Sequence, residues 1–388
     1  MSCYINSTNE RLYGAIESQY GVAATLADTD RLSFRSLTLE ERAVRATRRD
    51  KTGSRTRFAP HPELRTRNEF TLDCYFSGRD SSSPVDAMTT LVEAALGGDR
   101  VNASGLTVSA VLSSPARLTF NAAHGLIAGQ ALRFAGELRF VKSIVDAATV
   151  EISAPFGAGI QAGSSIGTSV TLYPGDKPKP LTLGDYWTPA GHLDRILAGS
   201  ILDEMTISLD SDFHGASFRG VTREVASAAA FSAGSTGLAQ FPAEPSTAYK
   251  SFQLVPGHVG KLFLGDVAYH LLDLTLSLRN QVDARALEFG TSIAPCYSAD
   301  LREVEIAFRL FASSDAAVVN LHALSRNRQE TSLTIQLGNQ AGQLVGVYVP
   351  RFVPEIPEVV DSESRAVLSF PSSLAYGVFN DEITVAFA

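Results

Sequence analysis

Cysteine is scarce in this chain. Three stand in 388 residues, Cys3, Cys74 and Cys296, odd in number and far apart. A disulfide framework or a cysteine-based metal site is therefore not expected, and a reducing compartment fits. No apolar run approaches the roughly 18 residues that a membrane-spanning helix needs. The start, "MSCYINSTNERLYG", has no basic region followed by an apolar core, so no secretory signal is expected and the sequons at Asn6 and Asn102 carry little weight. The seven histidines form no HxH or HExxH pattern, which removes the usual support for a zinc site. There is no Walker A sequence, "GAGIQAG" (157–163) breaks the GxGxxG spacing, and "GASFRG" (215–220) is one residue too long for GxSxG. Adjacent acids such as Asp203–Glu204 and Asp381–Glu382 are what a chain with 41 acids contains by chance. His61 between Pro60 and Pro62 reads as a rigid turn rather than a base. Trp187 in "GDYWTPAGH" reads as the half-buried anchor of a long loop, with stacking on a sugar as the other reading. No catalytic residue, metal or cofactor is expected.

What is present is unevenly placed charge. The net charge is −8, which argues against a dedicated nucleic-acid binder. Yet residues 31–67 hold eleven Lys/Arg against four Asp/Glu, a local +7 that leaves −15 for the rest. Within it, "RATRRDKTGSRTRFAPHPELRTR" runs over 20 residues without clear periodicity. Loops of that length in compact proteins are usually functional or disordered. Only Phe34 and Phe58 interleave the charge, too few for single-strand stacking. A solvated loop and contact with an acidic surface of another copy are the remaining readings.

Most of the chain reads as β-structure. "EFTLDCYF" (69–76), "EMTISLD" (204–210), "LDLTLSLR" (272–279) and "REVEIAFRLF" (302–311) alternate apolar and polar residues. Two helices are signalled. "SSSPVDAMTTLVEAALGG" offers Ser83 as N-cap, Pro84 at the first position, Met88, Leu91, Val92 and Ala95 on one face, and Gly97–Gly98 as the stop. "SSDAAVVNLHALSRN" (313–327) offers Ser314 as cap, with Ala317, Leu321 and Leu324 on one face.

The chain also contains itself twice. "LSFRSLTLEERA" (32–43) matches "YHLLDLTLSLRN" (269–280), Asn68 aligns with Arg302, and Ser83 with Ser314, at offsets of 237, 234 and 231. "TSVTLYPG" (168–175) matches "TSLTIQLG" (331–338) at an offset of only 163, so about 68 residues are inserted after the first helix. The insertion opens at "GDRVNASG" and closes at "GAGIQAGSSIG", both loop-like, around five short strand candidates. The expected organisation is a discontinuous first domain (1–98 and 168–228), an inserted small β-domain (99–167) and a second domain (229–388), joined through the Ala/Ser/Gly/Pro-rich stretch 225–251.

These residues carry a resemblance. The close, "PRFVPEIPEVVDSESRAVLSFPSSLAYGVFNDEITVAFA", resembles the ends of phage major tail proteins, and "YGVAATL" (20–26), "LSFRSLTL" and "TGSRTRFAPHPELRTRNEFTL" resemble their start. The stretches "HGLIAGQALRFAG" (124–136) and "FVKSIVDAATVEIS" (140–153) are similar to small β-modules of phage structural proteins. The resemblance covers nearly the whole chain and rests on soft patterns. It implies a mainly-β fold with two tandem tail-tube-type β-sandwich or barrel domains, each with a flanking helix. It further implies a homotrimeric ring of pseudo-sixfold symmetry, stacked into a tube that encloses a tape measure protein, ends on terminator and distal tail or baseplate proteins, and passes DNA without binding it. The chain would be assembled in the host bacterial cytoplasm and reside in the virion tail, with the insertion facing outward. Arg45, Arg48, Arg49, Lys51, Arg55 and Arg57 of the basic arm would meet carboxylates of an adjacent ring; exposed pairs are worth about 0–1 kcal/mol each and act by number. A glycan-binding tail fibre or baseplate adhesin and a secretion-system tube are the alternatives.

Overall fold

The structure is a computed structural model. It describes residues 4–43, 51, 53–56, 65–78, 87–187, 193–210, 212–227, 254–362 and 365–388. The chain is mainly β, with two α-helices among the described residues, α1 (Ala87–Leu96) and α2 (Ala316–Arg326). No described helix is long and apolar enough to cross a membrane.

Alternation makes the largest sheet. In Thr66–Tyr75, Phe70, Leu72 and Cys74 point inward; in Asp273–Arg279, Leu274, Leu276 and Leu278 do; in Glu303–Phe311, Val304, Ile306, Phe308 and Leu310 do. Most of the residues between them are polar and stay on the other face, the signature of a sheet buried on one side. Eight of its eleven strands run antiparallel in the order Ser36–Ala43, Thr66–Tyr75, Gly215–Ser227, Arg195–Leu209, Asp273–Arg279, Glu303–Phe311, Arg365–Leu374, Glu358–Ser362. The Arg195–Leu209 strand serves two neighbours on one side. Its second half pairs with Asp273–Arg279, and its first half pairs with Leu181–Trp187, which leads on to Glu10–Ile16 and Arg31–Leu32.

A second antiparallel sheet of seven strands faces the first. It runs Val267–Tyr269, Gly260–Leu264, Thr331–Leu337, Val345–Phe352, Thr384–Phe387, Ser169–Pro174, Gly97–Ala103. Its central strands are buried on both faces, and the burial takes in polar residues such as Thr171, Thr334, Gln336 and Thr384. Both sheets cross the boundary between the two halves of the sequence, and one apolar cluster lies between them, joining Phe70 and Leu72 to Val170, Leu276, Leu333, Val347 and Phe387. Helix α1 sits in that cluster with every residue except Thr90 buried. Its Glu93 is tied to Arg100 and, at 2.9 Å, to Lys179. Helix α2 is peripheral and buries only Leu321 and Ser325.

Two local expectations are corrected. The α2 N-cap is Asp315, not Ser314, and makes no side-chain cap bond; Ser313 Oγ donates to the Asp315 carboxylate instead. Ser83 and Pro84 lie outside the described residues. The stretch read as the loop opening the insertion is largely the Gly97–Ala103 strand, paired with Ser169–Pro174. Glycine permits it: a Cβ on Gly98 would stand 2.2 Å from the Tyr173 carbonyl oxygen. This pairing brings the two ends of the insertion side by side.

Between those ends, Val108–Ser113, Ala116–Phe120, Thr149–Ile152, Glu137–Ile144 and Ala131–Phe134 form a separate five-stranded sheet. It has its own apolar cluster, including Leu118, Phe120, Leu132, Val141 and Val150. One side of it rests on the second sheet. Val347 and Val349 face the main core, while Gly346 and Tyr348 face the insertion, with Phe140 stacked on Tyr348 at 5.2 Å. A Cβ on Gly346 would stand 2.9 Å from the Phe140 ring, so glycine is what lets the two sheets approach. The layers therefore run: polar face, eleven-stranded sheet, core, seven-stranded sheet, insertion.

Candidate assembly interface

The repeat is visible in the strand order. Ser36–Ala43, Thr66–Tyr75, Gly215–Ser227 and Arg195–Leu209 form one four-strand unit; Asp273–Arg279, Glu303–Phe311, Arg365–Leu374 and Glu358–Ser362 form another, in the same order. Leu37, Thr38 and Leu39 correspond to Leu274, Thr275 and Leu276, and Ser217–Phe218 to Ser369–Phe370. The units join head to tail where Arg195–Leu209 pairs with Asp273–Arg279. Two unlike strands end this row, Ser36–Ala43 and Glu358–Ser362, each paired on one side only among the described residues, while the side branch ends separately at Arg31–Leu32. A strand left this way presents a row of backbone donors and acceptors for another chain.

The polar face of this sheet carries hydroxyls and carboxylates. Thr38, Glu40, Glu69, Thr71, Glu204, Thr206, Ser217 and Arg219 line one shallow groove on it. Its arginines lean on neighbouring acids: Arg279 reaches Glu204 at 3.4 Å and Glu305 at 3.6 Å, and Arg67 and Arg219 both reach Glu69, at 2.6 and 3.8 Å. The groove sits on the side of the molecule opposite the insertion.

Of the basic arm, Lys51 and Arg55 are described and exposed, while Arg45, Arg48, Arg49 and Arg57 lie outside the described residues. Where the arm rejoins the sheet, Arg65 donates to the carbonyls of Glu288 (3.3 Å) and Thr291 (3.4 Å). That loop is the counterpart of the arm in the second unit, and it exposes Phe289 fully and Leu287 by about two thirds. Arm and counterpart thus meet at one rim of the sheet, around a cleft of about 400 Å³.

The insertion is fixed to the body by a buried polar knot that sequence reading missed. Arg139 is 1% exposed. Its guanidinium donates to Gln336 Oε1 (2.9 Å), to the Leu138 and Pro155 carbonyls (2.7 and 3.1 Å) and to Glu137 (3.3 Å), and it stacks over Phe263 at 4.6 Å. Burial pushes the Glu137 carboxyl up, but the hydrogen bond from Lys261 and the Arg139 charge outweigh it and hold the group below its ordinary value. Gln336 in turn donates to the Gly136 and Gly338 carbonyls, both at 3.0 Å. It occupies the place in "TSLTIQLG" where "TSVTLYPG" has Tyr173. The only cue was that difference between the two copies.

A second charged group lies away from both edges. Asp185 is fully buried and accepts from Arg195 at 2.9 and 2.5 Å, with Glu10 beside it. Glu10 is pushed up to about 7, by burial first and then by the charge of Asp185 and a hydrogen bond to it. The folded protein therefore holds this proton more tightly than the unfolded chain, whose carboxyl titrates near the ordinary 4.5. Stability is favoured at low pH and lost as pH rises from the unfolded value through about 7. Glu10→Gln is expected to unfold at a higher temperature than the parent at about pH 8, with the gap closing by about pH 5; thermal unfolding at the two pH values checks it, and an equal gap at both would contradict it.

The remaining candidates gather no chemistry. His214, His258 and His270 line a cleft of about 350 Å³ with Asp210, and burial lowers His214. Among the described residues no group of His, Cys, Asp and Glu is placed to hold a metal ion. Trp187 is half-buried at a strand end, its backbone N–H donating to the Asp194 carboxylate at 2.8 Å. His61 lies outside the described residues. Cys74 is buried in the core and its thiol is pushed up to about 12 by burial, whereas Cys296 is exposed and unpaired. No protein-family model and no curated protein matches this chain.

Proposed function

We propose that this chain is the structural subunit of a tail tube of the phage type: three copies close into a ring of pseudo-sixfold symmetry, and rings stack into a tube. The observation that carries the reading is the head-to-tail repeat of one four-strand unit within a single sheet, ending in two unlike free edges. A contact between unlike surfaces makes rings when the rotation closes and filaments when it does not. Ring closure also removes both exposed edges.

The two sides of the molecule suit the two sides of a tube. The polar groove face, turned to the lumen, offers DNA hydroxyls and carboxylates, with its arginines already held by acids. Such a wall repels phosphates rather than gripping them. The insertion, on the opposite side, would then stand on the outside. The arm, leaving the rim, is suited to meet the neighbouring ring. In this reading the tape measure protein fills the lumen, terminator and distal tail or baseplate proteins close the ends, the chain resides in the virion tail, and it is not an enzyme.

Electron microscopy of the purified protein tests the reading. Six-lobed rings or stacked tubes are expected; a stable monomer that binds glycan would overturn it in favour of an adhesin.

A further inference from the structure

The internal junction between the two units is a template for the contact between chains. We infer that the Glu358–Ser362 strand of one copy pairs antiparallel with the Ser36–Ala43 strand of a second copy, in the register of that junction. The inference rests on the ring reading and adds the residues that make the ring.

Inside the chain, Thr206, Ile207, Ser208 and Leu209 stand opposite Ser277, Leu276, Thr275 and Leu274. The counterparts of the second group are Glu40, Leu39, Thr38 and Leu37, fixed by the matching "LTL" segments. The counterparts of the first group follow from pairing. Ile207 stands opposite Ala216 and Val359 opposite Leu368, and Ala216 and Leu368 each precede the matching Ser–Phe. Val359 is thus the equivalent of Ile207. The outer junction then sets Glu358 opposite Glu40, Val359 opposite Leu39, Val360 opposite Thr38, and Asp361 opposite Leu37 of the next copy.

Burial supports this register. Ile207 is 1% exposed and Leu276 0%, yet Val359 is 70% exposed and Leu39 only partly buried. The apolar pair that the internal junction covers is left open at the outer edges, and pairing would cover it. The Ser36–Ala43 strand runs eight residues without a bulge, so nothing in its backbone blocks a partner. Arg42, the equivalent of Arg279, holds Glu40 at 2.5 Å and would lie one step diagonally from Glu358 of the next copy, whereas in the internal junction Arg279 meets Glu204 directly opposite it.

Cysteine pairs read the register directly. In a Cys3→Ser, Cys296→Ser background, the full chain carrying Thr38→Cys and Val360→Cys is treated with mild oxidant. Trimers that resist detergent and fall apart with reductant are expected. The pair Leu39→Cys with Val360→Cys puts the thiols on opposite faces and is expected to link at most about a tenth as well. Rings in the microscope without linkage at 38 and 360, or equal linkage of both pairs, would overturn this junction while leaving the ring reading intact. A chain that stays monomeric at every concentration overturns both.

Discussion

Arg139→Ala is expected to destabilise the protein by about 3–5 kcal/mol, measured by denaturant unfolding, while Lys261→Met costs under about 1 kcal/mol. Both residues touch Glu137, but their surroundings differ. The Arg139 side chain is 1% exposed and satisfies two carbonyls, a carboxylate and an amide oxygen, so its removal strands acceptors that water cannot reach. It also forfeits packing over Phe263 and Phe156. The Lys261 side chain is 45% exposed, so water can replace it. Because Arg139 belongs to the insertion and Gln336 to the body, the loss should appear first as loosening between the two. Hydrogen exchange rising in Glu137–Ile144 and Thr331–Leu337 before the rest would show it. Equal costs for the two substitutions would mean that the knot is not what fixes the insertion.

Arg42→Glu is expected to lower ring formation at least about tenfold, and adding Glu358→Arg is expected to restore most of it. On the inferred junction the single change sets a third carboxylate, at position 42, beside Glu40 and Glu358 with no cation between them. The double change returns two carboxylates around one guanidinium, in swapped positions. The defect should shrink in about 1 M salt, where the screening length falls to roughly 3 Å. Neither residue packs in the core, so the monomer's unfolding curve should not move. Sedimentation of each variant across a concentration series measures the effect. A double variant that assembles no better than Arg42→Glu would contradict the pairing.

Half-buried strands were legible in the sequence because their alternation is local. Phe70–Leu72–Cys74 and Leu274–Leu276–Leu278 announce both the strand and its inward face. The five strands of the insertion were legible as short runs between turn residues, although Glu137–Ile144 buries five consecutive residues rather than alternating. What pairs with what was not. Arg195–Leu209 reads as one strand, yet it borders Leu181–Trp187 with one half and Asp273–Arg279 with the other. Gly97–Ala103 reads as a loop because Gly-Gly-Asp and Asn favour turns; its partner, over 60 residues on, overrides that preference. Ser313, Ser314 and Asp315 are all good caps, and local chemistry does not choose among them. Arg139 looks like an ordinary polar strand position until Gln336, 197 residues away, closes over it. The repeat was the exception among long-range features. Self-similarity is written in the sequence, and here it pointed to the two edges on which the assembly account turns.

The most direct test of that account is a three-dimensional reconstruction of the assembled ring by electron cryomicroscopy. The account predicts three copies of the 41.4-kDa chain per ring, with the eleven-stranded sheets joined into one closed barrel and Val359 opposite Leu39 at each chain boundary. A ring of six chains, or a sheet interrupted wherever one chain meets the next, would contradict it.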